Sequence, residues 1–290
     1  MQTPALAADE RLFDPGYWRT AFPELSLTEA GGSFPAPNGP DRERLVLSRE
    51  RMRTEGYFQA ADARLAKWVP RLAAAVIRMT QQGVPPPFLF LFDETWAAFH
   101  QLHGQLADTL GPHYQILPDF WVWHIDPGPA GAGWTAHRDR GYRSLGVGGA
   151  PLSLTVWIPL TTATPDNSCM YILPADRDPT YGTPQDGRYE VDLASVRALP
   201  AQPGDYLYWN QAVLHWGSRA SRLAREPRIS MALEFQRGDA APFNGPLSPP
   251  LARPSFEDRL KLVAKQILQY RHMYPLSPEM ETLAQAIQAR

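Results

Sequence analysis

The chain has 290 residues, 44% hydrophobic and 20% charged, with a net charge of −2; that length buries a large core without disulfides, and that charge offers no basic field to draw nucleic acid. No apolar run approaches the roughly 20 residues that cross a bilayer, Met1 to Glu10 lacks the apolar stretch behind basic residues that marks a secretory signal, and the lone Cys169 can close no intrachain disulfide or thiolate metal site. A cytoplasmic protein with no nucleic-acid or membrane partner is expected, and nine Trp, eleven Tyr and twelve Phe beside thirty Pro point to a folded chain with many turns rather than to disorder.

Residues 1–40 read as an irregular arm, disordered over its first ten residues. Asp41 is placed to cap a helix that runs to Glu55-Gly56. A second helix is expected over 60–82, with Leu65, Trp68, Leu72, Val76 and Met79 along one side, kinked or split by Pro70. The wholly apolar 88–92 suits a buried strand. Asp93 then caps a third helix that reaches Leu110 and stops at Gly111-Pro112. From residue 114 the texture changes to short strand-like runs at 114–125, 152–160, 169–174, 204–209 and 228–236, a pattern that suggests a sandwich or barrel. Helix returns at 256–270, and Ser277-Pro278-Glu279 reads as an N-cap with Pro in the first turn. The order helices, strands, helices predicts one α+β domain over 1–290: the arm, a helical flank at 41–112, a β core at 113–238 and C-terminal helices at 254–290.

Four features of the β region carry chemistry. His137 and Asp139 follow the Gly-rich turn 127–133, and residues i and i+2 of an extended chain face one side. His215 ends the strand-like run 204–215, Arg228 opens the strand 228–236, and the run 152–160 floors the same cavity. Two imidazoles and one carboxylate on one face of a metal suit non-haem Fe(II), with three positions left for an α-keto acid and dioxygen. A nearby Arg can hold the far carboxylate of a dicarboxylate through paired hydrogen bonds.

Each piece has a bland reading. His-x-Asp is short enough to recur by chance, and His124-Ile125-Asp126 is a second copy at a strand end beside a turn. His137 could be a turn histidine paired with Asp139, and His215 a strand-end ring on Trp216. Arg219, Arg222 and Arg225 rival Arg228, but they lie in a polar loop. His100 and His103 share a helix face that is better read as half-buried surface, and Cys169 as a core residue. Arg138, Arg140, Arg143, Arg177, Arg219, Arg222 and Arg225 fall near the expected mouth, where they could draw an anionic substrate or simply keep the protein soluble. Trp121, Trp123, Trp134, Trp209 and Trp216 could stack a ring or fill the core.

The words that follow in order are His137-Arg138-Asp139, LTVWIPLTTATPDNSCMYILPADRD at 154–178, PGDYLYWNQAVLHWGSRAS at 203–221 and PRISMALEFQR at 227–237, preceded by EGYF at 55–58. Together they resemble the phytanoyl-CoA dioxygenase family of Fe(II)/2-oxoglutarate-dependent oxygenases. The resemblance implies a double-stranded β-helix, the jelly roll, flanked by helices. It implies iron on His137, Asp139 and His215, and the distal carboxylate of 2-oxoglutarate on Arg228. Ser230 would assist Arg228, Ser153 and Thr155 would contact the co-substrate, and Trp157 would wall the site. It implies a dioxygenase that consumes dioxygen and 2-oxoglutarate, releases succinate and carbon dioxide, and hydroxylates a small molecule, possibly anionic. Asp139 favours hydroxylation over halogenation, since related halogenases lack that carboxylate. The chain departs from the family at Asn167-Ser168, where Asn-Gly is usual, and at Pro174-Ala175-Asp176-Arg177, where Pro-Gly-Ser-His is usual; these departures bear on the substrate rather than the reaction type. The rival functions are a non-redox cupin-like isomerase or hydrolase, which gives no reason for Arg228, and a silent binding module, which has no need of buried ionisable ligands. The lid is expected from 140–150 and 176–190.

Overall fold

A computed structural model describes residues 10–127, 133–272, 274 and 276–289. The expected disorder of the first ten residues, except at residue 10, and most of the turn 127–133 lie outside the described residues. In chain order the elements are α1 (Pro15–Ala21), β1 (Gly32–Ser33), α2 (Arg42–Thr54), β2 (Tyr57–Ala61), α3 (Val69–Gln81), a 3-10 helix (Pro86–Leu91), α4 (Asp93–His100) and α5 (His103–Leu110). There follow β3 (Gln115–Ile125), β4 (Ser153–Pro159), β5 (Met170–Leu173), β6 (Arg197–Leu199), β7 (Asp205–Asn210), β8 (Leu214–Gly217), β9 (Arg228–Gln236), β10 (Ala252–Arg253), α6 (Phe256–Gln269) and α7 (Pro278–Gln288).

Strand alternation builds the architecture. A five-stranded antiparallel sheet has the order β2-β7-β4-β9-β3, and a three-stranded sheet the order β6-β5-β8. On β9, Ile229, Met231, Leu233 and Phe235 join the large core shared with the helices, so Arg228, Ser230, Ala232 and Glu234 face the other way. On β4, Leu154, Val156 and Ile158 lie in that core, while Trp157 packs with Trp209, Ala232, Met170 and Ile172 between the two sheets. Polar residues therefore collect in the space between the sheets, and the opposite face of the large sheet is sealed by helices. No helix among the described residues is long and apolar enough to cross a membrane.

The structure corrects several sequence-based expectations. The helix expected over 60–82 begins only at Val69, because 57–61 pairs with β7 as an edge strand. Pro70 sits in the first turn of α3, where its missing N–H has no helical partner to lose, so it starts the helix rather than kinking it. The buried run 88–92 belongs to a 3-10 helix and its end; three successive prolines, 85–87, fix φ near the helical value, and a short apolar run carries no period to separate helix from strand. The single helix expected from Asp93 is two, α4 and α5. Asp93 is the first residue of α4 rather than its cap; its carboxylate accepts from Thr28 and pairs at 2.7 Å with the buried Arg259 of α6. The run 204–215 divides into β7 and β8, which belong to different sheets, so the corner at 211–213 carries the chain from one sheet to the other.

Candidate metal centre

His137, outside any regular strand, forms an isolated antiparallel pair with His215 of β8, each N–H donating to the other's carbonyl at 3.0 Å. That pairing sets the two rings side by side, with centroids 4.4 Å apart. Asp139, two residues on, faces the same way. Its Oδ1 lies 3.5 Å from both His137 Nε2 and His215 Nε2, and one donor atom from each residue lies within 4.8 Å of the other two.

The neighbours decide which atoms are free. His137 Nδ1 donates to the Thr135 carbonyl at 2.7 Å, and His215 Nδ1 to that of Val213 at 3.1 Å. A carbonyl only accepts, so the proton sits on Nδ1 and the lone pair on Nε2, as metal-binding histidines require. Asp139 Oδ2 accepts from Thr155 Oγ1 at 2.6 Å and from Trp209 Nε1 at 3.0 Å, which leaves Oδ1 for a ligand. Burial alone would raise Asp139; the charge of His215 and the hydrogen bond and charge of His137 override it and hold the carboxyl well below its usual range. Burial pushes His215 down to about 4, so its imidazole is neutral at pH 7. Burial also works against a charged His137, but the hydrogen bond and charge of Asp139 outweigh it and raise that ring. Two neutral-capable nitrogens and a carboxylate oxygen around one point fit a facial set for Fe(II).

Arg228 lines the same cavity, of about 280 Å³. It is 2% exposed and spends its donors on neutral oxygens: Nε on the Ser168 carbonyl at 3.0 Å, Nη1 on Ser230 Oγ at 2.6 Å and Nη2 on Ser168 Oγ at 3.4 Å. Among the described residues no carboxylate pairs with it. Burial lowers it only to about 10, so it stays cationic. A buried charge without a counter-ion costs several kcal/mol, and an incoming carboxylate relieves that cost.

The other expected residues are placed as follows. Ser230 bonds Arg228. Thr155 lines the cavity, but its hydroxyl serves Asp139. Ser153 is fully buried, donates to Gln211 Oε1 at 2.5 Å and is not among the cavity-lining residues. Trp157 walls the cavity, with the Arg228 guanidinium 5.9 Å from its ring. His124 and Asp126 approach to 3.7 Å, with Asp126 mostly exposed, and they join no third ligand among the described residues. Arg219, Arg222 and Arg225 are exposed. Arg138 pairs with Asp178 at 2.7 Å, and Arg140 with Glu234 at 2.5 Å and Asp119 at 3.1 Å. Trp121, Trp123, Trp134 and Trp209 wall the cavity, while Trp216 stacks on Tyr171. Of the residues that sequence reading missed, Glu234 was within reach, six positions along the Arg228 face of one strand. Gln211, at a corner, left no periodic signal.

Residues 105–228 match the family model of phytanoyl-CoA dioxygenase. Among solved structures, the nickel complex of ThoJ, a non-heme monooxygenase, superposes with a TM-score of 0.55 at 17% identity, over 81% of this chain and 98% of that one. The apo form of EctD from S. alaskensis gives 0.52 at 18% identity, over 80% and 94%. These likenesses establish the jelly-roll fold. No curated protein matches the sequence. The matched segment contains both histidines, Asp139 and Arg228, and over it the chain is similar to the phytanoyl-CoA dioxygenase family, whose members are non-haem iron, 2-oxoglutarate-dependent enzymes.

Proposed function

We propose that this protein is a 2-oxoglutarate-dependent hydroxylase of a small molecule. The observation that carries the reading is Arg228, a buried guanidinium with no carboxylate partner among the described residues, in one cavity with His137, Asp139 and His215. His137 Nε2, His215 Nε2 and Asp139 Oδ1 would hold ferrous iron. Bound there, iron supplies the redox chemistry that couples decarboxylation of 2-oxoglutarate by dioxygen to substrate oxidation, with release of succinate and carbon dioxide.

The chain's own residues do the rest. Arg228, steadied by Ser168 and Ser230, binds the distal carboxylate of 2-oxoglutarate and fixes its direction in the cavity. Thr155 and Trp209 hold the Asp139 carboxylate by Oδ2. The indole walls exclude water from the reacting centre. Asp139 keeps a carboxylate among the ligands, which favours hydroxylation over halide transfer. Of the arginines expected to draw an anionic substrate, Arg138 and Arg140 are engaged by Asp178, Asp119 and Glu234, and Arg143, Arg177, Arg219, Arg222 and Arg225 are exposed.

Anaerobic calorimetry of the Fe(II)-loaded protein with 2-oxoglutarate tests the reading. Arg228→Ala should weaken binding by at least about tenfold, the loss expected when a buried charge-assisted pair is cut. Asp139→Ala should abolish succinate release. Unchanged affinity in the first variant and unchanged turnover in the second would overturn the assignment.

A further inference from the structure

We propose that Gln211 is the positioning residue of the metal carboxylate, acting through Thr155 to decide which oxygen of Asp139 faces the two imidazoles. The inference rests on the iron site proposed above and concerns a residue that lies within the segment 203–221 but was given no role there.

Gln211 is fully buried at the β7–β8 corner, four residues before His215. Its Oε1 faces two donors, Arg140 Nε at 2.8 Å and Ser153 Oγ at 2.5 Å. An arginine can only donate, so the amide orientation is forced and Nε2 points the other way, to Thr155 Oγ1 at 3.0 Å. A threonine hydroxyl has one hydrogen. With Gln211 donating to that oxygen, the hydrogen is left for Asp139 Oδ2, 2.6 Å away. Oδ2 is thereby occupied, and Oδ1 is the oxygen presented 3.5 Å from each Nε2.

A second grip acts on the main chain. The Gln211 carbonyl accepts from the N–H groups of Arg140 and Gly141, each at 3.0 Å, and so pins the backbone immediately after Asp139. Beyond Oε1, Arg140 is anchored by Glu234 and Asp119. Ser153, expected against the co-substrate, belongs to this network instead. Partners of this kind that orient a ligating carboxylate typically set metal affinity by 10–100-fold.

Anaerobic titration with Co(II) alone, in the absence of 2-oxoglutarate, reads the effect without relying on turnover. Thr155→Val and Gln211→Met should each weaken Co(II) binding by about tenfold. The double variant should bind no more weakly than the weaker single one, because both substitutions cut the same chain of hydrogen bonds. Wild-type affinity in Gln211→Met, or losses that multiply in the double variant, would overturn the role. Should Gln211→Met fail to fold, Gln211→Glu decides: it keeps an acceptor for Arg140 and Ser153 and, as a carboxylate, offers no hydrogen to Thr155 or to Glu234, so the same tenfold loss is expected, and wild-type affinity overturns the proposal. A wild-type protein that binds no Co(II) overturns the metal centre and this inference with it, whereas tight wild-type binding with unaffected Gln211 variants overturns the inference alone.

Discussion

Glu234 and Arg228 stand on the same face of one strand, and burial acts on them in opposite ways. Arg228 keeps its charge, with burial lowering it only to about 10. Glu234 has a cation at 2.5 Å, yet burial pushes its carboxyl up to about 8; Arg140 opposes the shift, and the charges of Asp139 and Asp119 add to it. The folded state therefore keeps a proton that the unfolded chain gives up near the ordinary value of 4.5. The stability from this group is complete below that value and is lost as pH rises through about 8. Melting temperature should fall between about pH 5 and pH 8, and Glu234→Gln should remove that part of the slope; parallel profiles for the two proteins would refute it. The sequence showed which charged residues share this face, because alternation is local. It did not show which of them find partners.

At the scale of elements, local chemistry set the helix ends. Asp41 Oδ1 accepts from Arg44 N at 2.7 Å, the cap expected from sequence, and Asp41→Ala should cost about 1 kcal/mol in urea unfolding. Pro70→Ala should change stability by less than about 1 kcal/mol, against the ~3 kcal/mol expected if that proline interrupted a helix interior. The core strands were legible because their apolar residues alternate or run continuously between turns. β2 was not, since helical spacing from Leu65 onward extends backwards over it, and the strand is fixed by pairing with β7, whose first residue, Asp205, lies opposite Ala61. The left-handed backbone of Ser168, φ 74°, gives a reason for the family's usual glycine there. The serine adds a hydroxyl that reaches Arg228.

Across the whole molecule, α6 closes the helical side of the large sheet with Phe256, Leu260, Val263, Ala264 and Ile267 in the large core and with a buried ion pair beside them. Arg259 is fully buried, donates to the carbonyls of Leu91 and Pro254, and pairs with Asp93. Arg259→Ala leaves that carboxylate without its cation and should cost about 3 kcal/mol, read as a lower urea midpoint; a loss below about 1 kcal/mol would show that the pair is not what docks the C-terminal helices. The sequence by itself determined the candidate ligand types, the strand faces and most helix limits, since these follow from side-chain chemistry and from periods of two and 3.6 residues. Only the tertiary structure decided that Thr155 serves Asp139, that Ser153 serves Gln211, that Arg138 and Arg140 are already paired with carboxylates, and that Arg228, among the described residues, is not. Those facts are hydrogen bonds and ion pairs between strands, turns and corners far apart along the chain, and no local period encodes which of two equivalent oxygens or several arginines will meet a partner there.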